Sequence, residues 1–117
     1  MSDQDPAAER AALDWLALTD RGDAAASWEA AASLFRGAVT VQQWEQALGA
    51  ARAPLGAVIS RHVKSARGAT ELPGAPDGEY VVFQFDTSFE HKRAAVETVT
   101  PMRDTDGQWR VSGYFIR

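Results

Sequence analysis

The chain has 117 residues, no cysteine and a formal net charge of −4 at pH 7. This length is typical of a single domain whose core needs no disulfide or metal, and we expect one domain over residues 1–117 with residues 1–6 as a disordered tail. The acidic balance argues against a nucleic acid partner, because binding phosphates requires a basic surface. Zero cysteine excludes disulfides and thiol catalysis, and no apolar run is long enough for membrane insertion as a helix.

Three helices are predicted in the first half of the chain. Asp5 followed by Pro6 is typical of a helix N-cap and first helical position. Apolar residues then recur at helical spacing in three segments, residues 7–19, 24–35 and 41–51. Pro54 prevents the third helix from continuing.

After Pro54 the apolar pattern changes to the alternation of β-strands. Four strands are predicted, over residues 58–67, 81–89, 93–102 and 109–116. The second strand places Phe83 and Phe85 on its buried face. In the last strand, strict alternation assigns Phe115 to the buried face and Tyr114 and Ile116 to the opposite one.

These elements predict an α+β fold in which three N-terminal helices pack on one face of a curved four-stranded antiparallel sheet. The arrangement is comparable, by fold analogy alone, to the nuclear-transport-factor-like cone and the cystatin-like grip. The predicted core consists of large apolar residues from the helices and from one face of the sheet: Trp15, Trp28, Phe35, Trp44, Leu48, Phe83, Phe85, Trp109, Val111 and Phe115.

The sheet face turned away from the helices is predicted to carry apolar groups of its own. Tyr80, Val82, Tyr114 and Ile116 fall on that face if both strands alternate strictly. An uncovered sheet face with such residues tends to associate. We therefore predict a homodimer formed through these four residues.

Several segments together resemble a known family. They are residues 15–23, 27–28, 53–56, 72–80, 97–100 and 106–116, together with the spacing between Phe35 and Trp44. Taken jointly, they resemble a bacterial family classed as a domain of unknown function, number 4019, over nearly the whole chain after about residue 8. The resemblance implies a bacterial source and brings no catalytic residues. Family members often follow an export signal, which implies a periplasmic address if such a signal has been removed and a cytoplasmic one otherwise.

Residues 61–64 form the main basic concentration of the chain and contain no acid. On a strand, the side chains of Arg61 and His62 point to opposite faces. One interpretation is an anion site for a carboxylate or phosphate. The favoured interpretation is an edge strand whose charges protect it from pairing with other chains.

Glu97 lies in the middle of the third predicted strand, between apolar neighbours. If it faces the helices, burial would suit it to acid–base chemistry or to ligand binding. If it faces solvent, it would pair across strands with a base such as Arg93 or Arg110, and such an exposed pair contributes little free energy. The surface pair is the favoured interpretation.

No motif in the chain supplies a nucleophile, a phosphate loop or a metal-ligand cluster. The two histidines, His62 and His91, lie outside the spacings of zinc sites, and we expect neither a metal nor a nucleotide cofactor. The leading hypothesis is a small, uncharacterised bacterial domain acting as a non-enzymatic binding or accessory protein. The alternative is a small-ligand-binding protein or acid–base enzyme with a cavity between helices and sheet, using Glu97, Arg110 and Tyr114.

Overall fold

The computed structural model describes residues 5–117 and has an α+β fold with four helices and a four-stranded antiparallel sheet. The strands follow one another in the order β1-β2-β3-β4, each antiparallel to the next. The elements are α1 (Pro6–Asp20), α2 (Ala24–Ala30), α3 (Ser33–Ala38), α4 (Val41–Arg52), β1 (Val58–Ala69), β2 (Tyr80–Phe89), β3 (Lys92–Arg103) and β4 (Trp109–Ile116). The predicted meander is confirmed, and the prediction of three helices is corrected to four.

Side-chain caps from Asp5, Asp23 and Thr40 mark where α1, α2 and α4 begin. The Asp5 carboxylate accepts a hydrogen bond from the Ala7 backbone N–H, and Pro6 is the first helical residue of α1. Of the predicted tail, residues 5 and 6 are the N-cap and first residue of α1, and residues 1–4 lie outside the described residues. At α4, the hydroxyl of Thr40 accepts from the backbone of Gln43 while the Gln43 side chain accepts from the Thr40 N–H, forming a capping box.

The predicted second helix is divided in two because its middle docks on the sheet. Ala31 and Ala32 are fully buried and extended, and the Ala32 N–H donates to the Val111 carbonyl of β4 at 2.8 Å. Asp104 then accepts from both the backbone N–H and the hydroxyl of Ser33, at 3.0 and 2.7 Å. This carboxylate, which lies in the β3–β4 turn, thus hydrogen-bonds the first backbone N–H of α3. No local sequence signal predicts this contact.

The core lies between the helices and one face of the sheet, which we call the inner face. Trp15 and Leu16 of α1, with Trp44 and Leu48 of α4, join one apolar cluster with alternate residues of the strands. The sheet residues of that cluster are Val81, Phe83, Phe85, Val99 and Val111. Six of the ten predicted core residues are buried, and Trp28, Phe35 and Trp109 pack against the cluster while half-buried.

A β-bulge in β4 reverses the predicted faces of its second half. Thr100 pairs with Gly113 but Pro101 pairs with Val111, so Ser112 is an extra residue. Beyond it, Tyr114 points into the core and contacts the rings of Trp15 and Trp44, while Phe115 is 52% exposed. The prediction that Phe115 is buried is therefore wrong.

The bulge also changes the predicted dimer face. Tyr114 and Ile116 lie on the side of β4 opposite Phe115, and Tyr114 packs against the core cluster. Tyr80 is buried at 2% exposure, with its hydroxyl donating to the Pro76 carbonyl of the β1–β2 loop at 2.6 Å. Of the four residues predicted to form the dimer contact, Tyr80 and Tyr114 are therefore engaged in contacts within their own chain.

None of the helices within residues 5–117 is long and apolar enough to cross a membrane.

Candidate functional site

The most unusual feature of the core is a carboxylate with no solvent-exposed surface, that of Glu97 on β3. Its Oε1 accepts hydrogen bonds from the Arg61 Nε and from the Thr87 hydroxyl, both at 2.7 Å. Its Oε2 accepts from the Tyr114 hydroxyl at 2.5 Å. Burying a carboxylate is costly unless it is paired and hydrogen-bonded, and here three donors from three neighbouring strands meet that requirement.

The strand register explains why these side chains converge. Arg61 on β1 lies directly opposite Thr87 on β2, and Glu97 on β3 lies opposite Phe85, one inner-face position along. Diagonal neighbours on a sheet face are within reach of long side chains. Tyr114 reaches the same point from β4 because the bulge has turned it inward.

A second acid extends the cluster to the ends of α1 and α4. Asp20, the last residue of α1, accepts from both terminal nitrogens of Arg61 at 2.9 and 3.0 Å. It also accepts from Arg52, the last residue of α4, at 2.9 Å. The polar cluster, defined as Asp20, Arg52, Arg61, Glu97 and Tyr114, therefore joins both helices to the sheet. Its two acids and two guanidinium groups balance in charge.

The electrostatics of the polar cluster favour the charged forms of Asp20 and Arg61. Burial acts to raise the pKa of Asp20, but the hydrogen bonds and charges of Arg61 and Arg52 prevail and lower it below its usual value. Burial acts to lower the pKa of Arg61, and its bonds to Asp20 and Glu97 raise it instead. Burial and the adjacent Glu97 charge both raise the pKa of Tyr114, so this phenol remains a hydrogen-bond donor.

Arg52 has unused hydrogen-bonding capacity. Its guanidinium lies over the Phe89 ring at 4.9 Å from the ring centre, and its NH1 reaches the Thr19 hydroxyl at 3.3 Å. Its buried Nε has no partner among the described residues. The cation–π contact with Phe89 offsets part of the free-energy cost of burying this nitrogen without a hydrogen bond.

The structure brings together three of the five site residues predicted from sequence, namely Glu97, Tyr114 and Arg61. Arg110 is elsewhere: it pairs with Asp106 at 2.8 Å and with Asp104 at 3.3 Å in the β3–β4 turn. His62 is exposed on the outer face of β1, opposite Asp86. The favoured sequence interpretation of Glu97, a surface pair with Arg93 or Arg110, is wrong because its face of β3 is the inner one.

Sequence reasoning missed Asp20, Arg52 and Thr87. Asp20 precedes Arg21-Gly22, a sequence typical of a turn in which the aspartate bonds its own backbone. Thr87 offered the clearest signal, because it shares a strand face with Phe83 and Phe85, where a hydroxyl must find a partner. Arg52 carried no such signal, since arginine is common in the last turn of a helix.

A groove adjoins the polar cluster between α4 and β4, with a volume of about 480 Å³. Its walls are mainly apolar, and Tyr114 belongs to both the groove and the polar cluster. Two cationic residues, Lys92 and Arg117, also line it. The remaining lining residues are Trp44, Ala47, Leu48, Ala51, Leu55, Phe115 and Ile116.

The Glu97 carboxylate is enclosed by its hydrogen-bond donors. Both Glu97 oxygens already accept hydrogen bonds, and no part of this side chain is exposed. A general base must reach the proton that it removes, and Tyr114 stands between Glu97 and the groove. Across residues 5–117, no group of three or more histidine, aspartate or glutamate side chains is placed to share a metal ion.

Comparison with known proteins identifies one family. The model of that family, described as "Protein of unknown function (DUF4019)", matches residues 11–114. No curated protein and no solved structure matches the chain.

Proposed function

Since this chain belongs to the DUF4019 family, whose description assigns no activity, we propose from its own geometry that it is a non-enzymatic binding domain for small amphipathic carboxylates. The proposed site is the groove between α4 and β4. The observation that carries the proposal is an apolar groove with cations at its border.

The volume and the chemistry of the groove support a small ligand. About 480 Å³ is within the usual range of small-molecule sites, which are mostly apolar with a few polar groups that orient the ligand. Trp44 and Leu48 form an apolar floor of the groove, and both are buried members of the core cluster. The alkyl or aryl group of the ligand would contact this floor, and the carboxylate of the ligand would lie near Lys92 and Arg117.

The acid–base alternative has less support. Glu97, a wholly buried carboxylate near the groove, is held by three donors and separated from the groove by Tyr114. Breaking the Arg61 contact to free this group would leave a buried charge unpaired, which is strongly destabilising. The polar cluster therefore supports the groove as a rigid wall.

The test is calorimetric titration with decanoate and with decanol as an uncharged control. We expect saturable, weak binding of both, with decanoate several-fold tighter and its advantage reduced in the Lys92→Gln variant, which keeps Arg117. Ala47→Phe should abolish binding by filling the groove. Ala50→Phe is its matched control, because Ala50 is an exposed alanine of the same helix that does not line the groove.

Two results would overturn the proposal. One is the absence of a saturable signal for either compound. The other is an equal loss in the Ala47→Phe and Ala50→Phe variants, which would place any binding outside the groove.

A further inference from the structure

The inference concerns the free edge of β4, and it goes beyond ligand binding. Val96 and Arg117 exchange both of their backbone hydrogen bonds, Arg117 N–H to Val96 O and the reverse. In an antiparallel pair such bonding alternates from residue to residue. The backbone groups of Gly113 and Phe115 therefore also face β3, and those of Tyr114 and Ile116 face outward.

This outward edge is uncovered over its last residues. The described chain covers the edge at Val111, whose carbonyl accepts from Ala32. Beyond the bulge, no hydrogen bond from residues 5–117 reaches the outward N–H and carbonyl groups of Tyr114 and Ile116. Between them lies Phe115, 52% exposed, one of the few large apolar side chains so exposed in the described structure. Unpaired strand edges of this kind bind other strands.

We infer that this edge pairs with β4 of a second copy, antiparallel, with the two-fold axis at Phe115. In this register Tyr114 lies opposite the partner's Ile116 and Ile116 opposite the partner's Tyr114. All four outward N–H groups and all four outward carbonyls of the two copies are then used. A two-fold axis at Tyr114 or at Ile116 would leave some of them unpaired.

The side chains fit the same register. The two Phe115 residues face each other as a non-hydrogen-bonded pair, the closer kind of pair in an antiparallel sheet, and aromatic cross-strand pairs are stabilising. Arg117 lies opposite the partner's Gly113, so the two arginines avoid each other. On α4, the residues bordering the groove next to this edge include Ala47 and Ala51, which are small and exposed.

The opposite edge of the sheet is a poor alternative partner for β4. β1 has two register shifts, near Ile59 and near Lys64, and bulges make an edge hard to extend. It also carries exposed charge at Lys64 and Arg67. Addition of β4 to β1 would generate an open filament, whereas β4 on β4 closes as a dimer.

The absence of cysteine in this chain allows a direct test of the register. Phe115→Cys should form a disulfide-linked dimer on mild oxidation, because residues paired across the axis lie within the distance that a disulfide spans. Gly113→Cys should form no disulfide-linked dimer: its Cβ meets open space, but the register places the two Gly113 residues too far apart to bridge. Ile59→Cys, at an exposed position on β1, is the control for random collision.

Equal cross-linking of the three variants, or none by Phe115→Cys, would overturn the inference. Without any cysteine, sedimentation of the natural chain should show a concentration-dependent dimer that Phe115→Glu abolishes, since like charges directly opposite are unfavourable. A natural chain that sediments as a monomer at its highest soluble concentration would also overturn it. These measurements use no ligand, so they stand or fall independently of the proposed function.

Discussion

Replacing Glu97 by glutamine should destabilise the fold strongly although the shape of the side chain is kept. The amide can still meet the hydroxyls of Thr87 and Tyr114, so the loss concerns the charge that pairs with Arg61 at 2.7 Å. Removing one partner of a buried ion pair costs about 3–5 kcal/mol. Arg61 retains two bonds to Asp20, which places the expected loss near the lower end, about 3 kcal/mol.

Urea unfolding measures this loss. With an m-value of about 2 kcal/mol/M, the midpoint of Glu97→Gln should fall by about 1.5 M. Glu79→Gln is the matched control: Glu79 also pairs with an arginine, Arg103, but its side chain is 61% exposed, so the change should cost under about 1 kcal/mol. In a double-mutant cycle, adding Arg61→Met to Glu97→Gln should cost much less than Arg61→Met alone.

Two outcomes would refute this role of the buried ion pair. If Glu97→Gln costs no more than Glu79→Gln, the buried pair contributes no net stability and the polar cluster does not hold the helices to the sheet. Strict additivity of Glu97→Gln and Arg61→Met would lead to the same conclusion, because residues in one hydrogen-bonded network are expected to couple.

Three further predictions concern single contacts. Hydrogen bonds from Ser33 are the main cause that lowers the pKa of Asp104 from 3.8 to about 2. The ionised Asp104 therefore contributes about 2 kcal/mol to the free energy of unfolding above pH 4, and this contribution is lost as pH falls toward 2. The difference in stability between the natural chain and Asp104→Asn should narrow over that range. At micromolar concentration Phe115→Ala should cost under about 1 kcal/mol in urea unfolding and Phe85→Ala about 3–5, and a reversed order would refute the bulge. Gly56→Ala should lower the melting temperature more than Gly107→Ala: both glycines have positive φ, but only at Gly56 would a Cβ meet atoms at 2.6–3.0 Å.

Much of the fold was predictable because its signals are local. The N-cap at Asp5, the helical spacing of apolar residues and the switch of apolar period after Pro54 each act within a few residues. They located the first helix, α4 and all four strands to within two residues of the observed bounds.

The candidate site was only partly predictable. Glu97 was identifiable as an oddity because a charge in an apolar strand must be satisfied somewhere. The residues that gather around it were not identifiable, since Arg61, Tyr114 and Asp20 are 36, 17 and 77 residues away along the chain. Of these three, only Arg61 and Tyr114 contact Glu97 directly. Arg110 was the wrong choice because it is held by the turn acids Asp104 and Asp106.

The sequence by itself determined where the chain turns, which segments are helix or strand, and which β2 residues lie in the core, because backbone preference and apolar period act over neighbouring residues. Tertiary structure alone decided the helix break at Ala31–Ala32, the inward turn of Tyr114 and the pairing of Glu97 with Arg61. Each depends on contacts between distant segments: a backbone bond to Val111, a bulge that reverses the faces of β4, and charges that meet only when β1, β2 and β3 are in register.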